Sequence, residues 1–336
     1  MRLAHVRERH APAGGSWRLA MAIDGPGDWW LELEVARRRA IAARPELAHN
    51  AAVFRQPVTT LDAHLARGLR VAALEEVAEG HEFRSRDDDH PLWRAADLTF
   101  GPPVLAPLSL RDGYGFEGHV RTMWERRGGE VPEAWYRLPI FYFSNVGEVR
   151  GPGDPIWAPR GSVELDYEVE VAALIDTPTR DLTPERGEEA IGGYMIFNDW
   201  SARDLQRDEM TVRLGPAKGK DFASSIGPWL VTPDELEDTR KGRGFDLAMT
   251  ASVNGVEMSR GRWSDAVHGF ANLAARASAD VRLRPGDLLG SGTVATGSLL
   301  EVREQTLGHF LEPGDEVVLE VERLGALRNP IVARPA

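Results

Sequence analysis

Residues 164–175 read ELDYEVEVAALI, an alternation of acids with apolar or aromatic side chains. On an extended strand, successive side chains point to opposite faces. Glu164, Asp166, Glu168 and Glu170 would therefore share one face, and Leu165, Tyr167, Val169 and Val171 the other. Same-face neighbours lie about 7 Å apart along a strand, where like charges repel unless water or a cation separates them. Taken alone, the segment reads as a half-exposed strand with a polar outer face. A second block, FNDWSARDLQ at 197–206, alters that balance. Asp199 follows the apolar stretch 193–197 and precedes a helical turn, a position where catalytic groups gather. Arg203 and Gln206 follow at helical offsets that share one side, whereas Asp204 faces elsewhere and reads as a surface partner. The competing reading makes Asp199 the N-cap of a helix over 201–209. Glu168, Glu170 and Asp199 together form a candidate site for one hard divalent cation, Mg²⁺ foremost, with Mn²⁺ or Ca²⁺ also suited to oxygen ligands.

Two further segments carry groups with chemistry. Residues 215–222, GPAKGKDF, place Lys218 and Lys220 in a glycine-rich loop. The GxxxxGK[ST] pattern is absent, so phosphoryl transfer has no support. A lysine here can stabilise developing enolate charge, and a solvated surface lysine is the plain alternative. None of the nine histidines lies in HExxH or in a spacing suited to zinc. His5, His10, His49, His64, His81, His90, His268 and His309 have no chemical neighbours in sequence and read as surface or packing residues. His119 differs. It lies in the glycine-dense loop 110–120, LRDGYGFEGHV, with Asp112 and Tyr114 just before it, and reads as a lid or a site wall.

The elements that must position these groups read as follows. The 336 residues suit one large or two ordinary domains. Short strands are expected at 17–23 and 29–33, helices at 34–49 and 60–66, and a solvated acidic loop at 87–89. GPPVLAPL at 101–108 reads as a connector, which places a boundary between 1–104 and 105–336. Beyond it the plan is β-dominated. Strands are expected at 163–175, 193–197, 288–296 and 316–321, with short helices at 185–190 and 201–209. A longer helix over 264–279 would be capped by Ser264. Pro-Gly-Asp recurs at 26–28, 152–154, 285–287 and 313–315, each copy a turn signal.

Composition narrows the function classes. The chain has no cysteine, which removes disulfides, thiolate metal sites and cysteine nucleophiles, and fits a reducing cytoplasm. The first ten residues lack a signal-peptide core, and no run of about 18 apolar residues occurs. A net charge of −12 opposes binding to nucleic acid or an anionic membrane.

The blocks LRDGYGFEGH at 110–119, FYFSN and GPGDPI between 141 and 156, LDYEVEVA at 165–172 and FNDWSARDLQ at 197–206 occur in order. GKDF at 219–222, GPWLV at 227–231 and GSGT at 290–293 continue them. This ordered set, spanning roughly 105–325, resembles the fumarylacetoacetate hydrolase superfamily. The resemblance implies an α+β, β-dominated fold, with a C-terminal mixed β-roll that carries the site and a smaller N-terminal α/β domain. It implies a homodimer. It assigns Glu168, Glu170 and Asp199 as core metal carboxylates, and Asp112 as a fourth ligand found in the C–C hydrolase branch. It makes His119 the water-activating base, Glu301 the acid that orients it, and Lys220 the loop lysine, with Ser224 near it. Tyr114, Arg203, Gln206 and Thr293 match substrate-contacting positions. Glu164 and Asp166 match no ligand position. Met210 stands where the namesake hydrolase has a substrate-touching tyrosine, Ser224 replaces a threonine, and an expected arginine is approximated by Arg126 or Arg127.

The implied reaction is hydrolysis of a 1,3-diketo acid, acylpyruvate- or fumarylacetoacetate-like, through an enolate held at the cation and water activated by His119. Aromatic-compound catabolism is the expected setting. Decarboxylation, hydration or isomerisation of a 2-oxo acid on the same scaffold is the alternative, and a non-catalytic metal-stabilised module is a further rival.

Overall fold

The computed structural model describes residues 1–11, 15–23, 28–79 and 92–335. The acidic run 87–89, His81, His90, and Pro26 and Gly27 of the first Pro-Gly-Asp copy lie outside the described residues.

The chain opens with β1 (Arg2–Glu8), β2 (Arg18–Ile23) and β3 (Trp29–Glu32), then α1 (Leu33–Ala43), α2 (Leu47–Asn50), α3 (Leu61–Leu65) and α4 (Glu75–Glu79). Strands β4 (Leu92–Arg94) and β5 (Leu98–Phe100) follow. The helix expected over 34–49 divides because Pro45 holds Arg44 out of the helical region, at φ −139°. Thr60 caps α3, its hydroxyl accepting from the Ala63 N–H at 3.1 Å.

The remainder contains β6 (Ser109–Gly113), α5 (Glu117–Glu125), α6 (Glu133–Arg137), β7 (Phe141–Ser144) and β8 (Val149–Arg150). Then come β9 (Leu165–Asp166), β10 (Val169–Ile175), β11 (Ile191–Asp199), β12 (Ser201–Ala202), α7 (Arg203–Thr211) and β13 (Ser224–Val231). Next are β14 (Arg240–Lys241), β15 (Gly244–Phe245), β16 (Ala248–Val253), β17 (Val256–Arg262) and α8 (Phe270–Ser278). The chain closes with β18 (Asp287–Gly290), α9 (Leu299–Val302), β19 (Glu316–Val321) and β20 (Gly325–Pro330).

The fold is α+β and β-dominated, built on a large mixed sheet. Twelve strands join in the order β4-β3-β2-β1-β13-β11-β10-β18-β6-β7, with β5 on β1 and β8 on β13. The β18–β6 and β13–β8 pairs are parallel and the other pairs of this sheet antiparallel. A second sheet, β17-β16-β19-β20, packs its buried face against the first. The connector expected at 101–108 lies between β5 and β6, yet the sheet runs across it, because β1 pairs with β13.

Strand β10 is buried on both faces. Val169, Val171, Ala173 and Ile175 enter one core cluster, while Ala172 and Leu174 enter another. The half-exposed reading of 164–175 therefore fails, and the segment is two strands rather than one. At Tyr167 and Glu168 the chain leaves one partner for another, since β9 pairs with β12 whereas β10 pairs with β11 and β18. The Tyr167 hydroxyl anchors the break against Ser259 Oγ at 2.7 Å.

Other expectations are corrected. The helix expected over 264–279 begins at Phe270, with Gly269 as its N-cap. The N–H groups of Val267 and His268 both bond to the Gly115 carbonyl, which keeps that stretch out of the helix. Ser264 lies in a 3-10 turn instead. The strand expected at 288–296 ends at Gly290, because the chain turns through positive φ at Gly292. The later Pro-Gly-Asp copies behave as read, with Gly153, Gly286 and Gly314 all at positive φ.

Candidate active site

Pairing of the central strands gathers the acids. Asp112 near the end of β6 stands opposite Gly290 of β18, and Gly290 stands opposite Ala172 of β10. Glu170 of β10 stands opposite Phe197 of β11, two residues before Asp199. Strands separated by long stretches of chain thus bring Asp112, Glu170 and Asp199 into one cluster. One carboxylate oxygen from each lies within 4.8 Å of the others. Asp199 ends β11, and the N-cap of α7 is Ala202, so the N-cap reading of Asp199 fails.

The cluster fits a cation. Asp112 Oδ1, Glu170 Oε2 and Asp199 Oδ1 are all buried without a hydrogen-bond partner. Buried carboxylate oxygens are costly unless paired or coordinated. Gly290 leaves the space for one of them, since a Cβ there would stand 2.3 Å from Asp112 Oδ1. An all-oxygen donor set suits a hard divalent ion. Burial, then the neighbouring Asp199 charge, pushes the Asp112 carboxyl well above the ordinary carboxylate range. Burial and Asp112 do the same to Glu170. A divalent charge relieves this strain directly.

Glu168 behaves differently. Its Oε2 accepts from Lys220 Nζ at 2.5 Å, and its Oε1 lies 2.8 Å from Arg203 Nη2. Burial opposes its charge, but Lys220 and Arg203 more than offset that, and its carboxyl is held well below the ordinary range. Glu168 therefore stands beside the three-carboxylate cluster, turned to the cations. Lys220 also donates to Asp199 Oδ2 at 2.6 Å. Carboxyl groups outnumber cations here: Asp112, Asp166, Glu168, Glu170 and Asp199 stand against Arg203 and Lys220, all of them buried.

His119 lies on α5 rather than in a loop. The helix sits close to 293–297, where a Cβ on Gly118 would meet the Ala295 Cβ at 2.6 Å. That approach brings His119 Nδ1 to 2.8 Å from Glu301 Oε2. The Glu301 carboxylate is held from both ends, by Ser298 Oγ at 3.0 Å and the Thr296 N–H at 3.1 Å. Tyr114 meets the His119 ring edge-on at 5.6 Å. Thr293 Oγ1 donates to Glu170 Oε1 at 3.0 Å, and Gln206 Oε1 accepts from Arg203 Nη1 at 3.0 Å. Ser224 is buried on β13 opposite Asp199.

These groups border one cavity of about 490 Å³, lined by Asp112, Tyr114, His119, Glu168, Glu170, Arg203, Gln206, Lys220 and Thr293 among others. Asp199 lies behind that lining and Glu301 behind His119. Glu164 is remote, paired with Arg207. Asp166 is the buried clamp of the region. It accepts from Arg203 Nε at 2.7 Å and from the Leu299 and Leu300 N–H groups at 2.8 and 3.0 Å, which fixes the start of the helix bearing Glu301. Sequence reasoning missed Tyr142, whose hydroxyl donates to Asp199 Oδ2 at 2.6 Å. It lies in the FYFSN block, but its pairing opposite Asp112 is a property of the sheet.

The family model for the fumarylacetoacetate hydrolase C-terminal region matches residues 109–332. The chain belongs to the fumarylacetoacetate hydrolase family. It is 30% identical over 279 residues to protein Rv2993c of Mycobacterium tuberculosis, covering 80% of this chain and 95% of that one. It is 27% identical over 370 residues to the fumarylacetoacetase of Mus musculus, covering 90% and 86%. Among solved structures, a 5-carboxymethyl-2-hydroxymuconate delta-isomerase from Mycobacterium smegmatis is 25% identical, with a TM-score of 0.64 over 99% of this chain and 100% of that one. Enzymes of the fumarylacetoacetate hydrolase family similar to this chain thus include a hydrolase and an isomerase. Among the described residues, no helix is long and apolar enough to cross a membrane.

Proposed function

We propose that the chain hydrolyses a C–C bond of a 1,3-diketo acid, acylpyruvate- or fumarylacetoacetate-like. The observation that carries this reading is the His119–Glu301 pair, 2.8 Å apart, with His119 on the cavity that Asp112 and Glu170 also line. Asp112, Glu170 and Asp199, with Glu168 beside them, would hold one divalent cation, Mg²⁺ foremost. When bound, that ion supplies Lewis-acid polarisation of the diketone oxygens. Glu301 occupies His119 Nδ1, fixes the tautomer and stabilises the imidazolium, which leaves Nε2 to take a proton from water. Water oxygen adds to the distal carbonyl carbon. The C–C bond then breaks, its electron pair passes to the 2-oxo acid fragment as an enolate, and a proton returns to that carbon. Lys220 places positive charge where the enolate develops. Tyr114, Gln206 and Thr293 orient substrate, while Arg203, tied to Asp166 and Glu168, positions the acids. Ser224 backs Asp199. All these residues fall in 105–336, the proposed catalytic part, with 1–104 supporting it.

The test is His119→Ala. Hydrolysis of an acylpyruvate panel should fall by at least about 100-fold, the ordinary range for a lost general base, while cation binding survives. Hydrolytic turnover at the wild-type rate would remove the proposed base.

A second reading, isomerisation or other enolate chemistry on the same scaffold, is favoured by the similarity to the solved isomerase. His119 could then move a proton between carbons without water. Product mass separates the two, since hydrolysis adds one water. The reading also takes the chain as a cytoplasmic homodimer. In support, β7 ends the sheet and leaves Phe143 67% exposed, an edge that favours a partner. Light scattering in solution tests it.

A further inference from the structure

The loop that delivers Lys220 has little apolar packing to hold it. None of residues 212–218 is buried, and Val212 and Leu214 are 75% and 92% exposed. The Lys218 ammonium turns outward to Asp221 at 2.8 Å. The Lys220 ammonium nevertheless reaches inward, 2.5 Å from Glu168 Oε2 and 2.6 Å from Asp199 Oδ2. A flexible four-carbon stem holds so defined a place only when the backbone beneath it is fixed.

One carboxylate supplies much of that fixing. Glu209 Oε2 accepts from the Ala217 and Gly219 N–H groups at 2.7 and 3.1 Å, and its Oε1 accepts from the Lys218 N–H at 2.7 Å. Successive N–H groups turned toward one point form an anion-binding concavity, and here a side chain of the same protein fills it. Burial opposes the charge on Glu209, but the three N–H groups more than offset that, and its carboxyl is held below the ordinary range. The acid lies in the last turn of α7, where the helix dipole disfavours it and no basic residue offsets the cost. A local preference broken in this way marks a strained or functional place. The loop is seated on α7 from a second side as well. The Gly219 carbonyl accepts from the Ala202 N–H at 2.8 Å, and a Cβ on Gly219 would stand 2.7 Å from the Gln206 nitrogen. The Ala217 carbonyl then accepts from the Lys220 and Asp221 N–H groups at 3.0 and 2.9 Å, which carries the fixed geometry to the base of Lys220.

We propose that Glu209 is a positioning residue, which sets the Lys220 ammonium at the reacting end of the cavity by clamping 217–219 to α7. This rests on the reading that Lys220 meets the enolate charge, a step that hydrolysis and isomerisation share. Gln206 and Met210 of the same helix border the cavity, whereas Glu209 faces the loop and acts through Lys220.

Oxalate, a planar dianion shaped like the enolate of a 2-oxo acid, tests this without turnover. It is titrated calorimetrically into the Mg²⁺-loaded protein, beside pyruvate as the ketone counterpart. Glu209→Ala and Lys220→Met should each weaken oxalate at least about tenfold and pyruvate less than about threefold, as for groups that orient a charged partner. The double variant should bind oxalate no more weakly than Lys220→Met alone, because two groups that act through one contact are not additive. Glu209→Gln keeps one acceptor oxygen and should fall between wild type and Glu209→Ala. Amide exchange at 217–219 should quicken in Glu209→Ala, while the melting temperature stays within about 2 °C, since the loop is exposed. Oxalate affinity left at the wild-type level by Glu209→Ala, or a further additive loss in the double variant, would overturn the proposal. Oxalate binding indifferent to Lys220→Met would remove Lys220 from the enolate and the proposal with it. If oxalate behaves as expected and no acylpyruvate is turned over, the hydrolase reading alone fails and the clamp stands.

Discussion

Glu170→Gln should stabilise the metal-free protein and shrink the stability that Mg²⁺ adds. Glu170 is fully buried, and one of its oxygens lies within 4.8 Å of an oxygen each from Asp112 and Asp199. At that separation, two unit charges repel by about 3.5 kcal/mol with an effective dielectric constant near 20. The repulsion, with burial, is why the folded-state pKa of Glu170 stands well above that of an unfolded glutamate. The sign follows from this. A raised folded pKa gives stability that is present below about pH 4.3 and is lost as pH rises toward the folded value. Metal-free wild type should therefore weaken as pH rises above about 4.3. Glutamine removes the charge, keeps the shape, and can still accept from Thr293. The metal-free variant should melt higher than wild type at pH 8, on the order of 5 °C for a gain of about 2–3 kcal/mol. With Mg²⁺ the order should narrow or reverse. Wild type gains about 2.7 kcal/mol at a hundredfold excess over Kd, and the variant loses much of that with one ligand charge gone. Differential scanning calorimetry at pH 5 and pH 8, with chelator and with Mg²⁺, reads four conditions for each protein. A metal-free variant that melts lower than wild type at pH 8, with an unchanged Mg²⁺ shift, would refute a repelling, cation-binding cluster.

Other consequences follow from neighbouring contacts. Tyr142→Phe removes the hydroxyl that holds Asp199 Oδ2, and cation affinity should fall about 10- to 100-fold by calorimetric titration, as for other groups that orient a ligand. Asp166→Ala takes the acceptor from the Nε of the buried Arg203 and from the N–H groups that start α9. It should cost about 3–5 kcal/mol in urea unfolding, and a loss below 1 kcal/mol would contradict the clamp. Burial depresses the pKa of His5 and of His64. His5 Nε2 accepts from the Leu61 N–H at 3.0 Å, a bond that protonation breaks. Stability of the Mg²⁺-loaded protein should be level above about pH 6.5 and decline below it, by up to about 1.4 kcal/mol per pH unit for each histidine. A level profile down to pH 5 would contradict the neutral, buried state of both rings.

The sequence by itself determined the residue types that can do chemistry and the order in which they occur. Alternation marked 164–175 as extended, the apolar stretch before Asp199 marked a strand end, and the run of motifs carried the family. These are local properties, written in side-chain period and in turn residues such as the Pro-Gly-Asp copies. The tertiary structure decided which acids meet. Asp112 and Glu170 are far apart in sequence, and they approach because β6 and β10 both pair with β18, an arrangement no local period records. The structure also broke 164–175 at Tyr167 and Glu168, turned Glu168 to Lys220 and Arg203, and gave Asp166 a clamping role, because strand partners change there. Tyr142 joined the site through cross-strand pairing and His119 through the close seating of α5 on 293–297. Spacing in sequence can nominate a carboxylate. Only the packed sheet sets the few ångströms that separate a clustered carboxylate from an ion-pair partner.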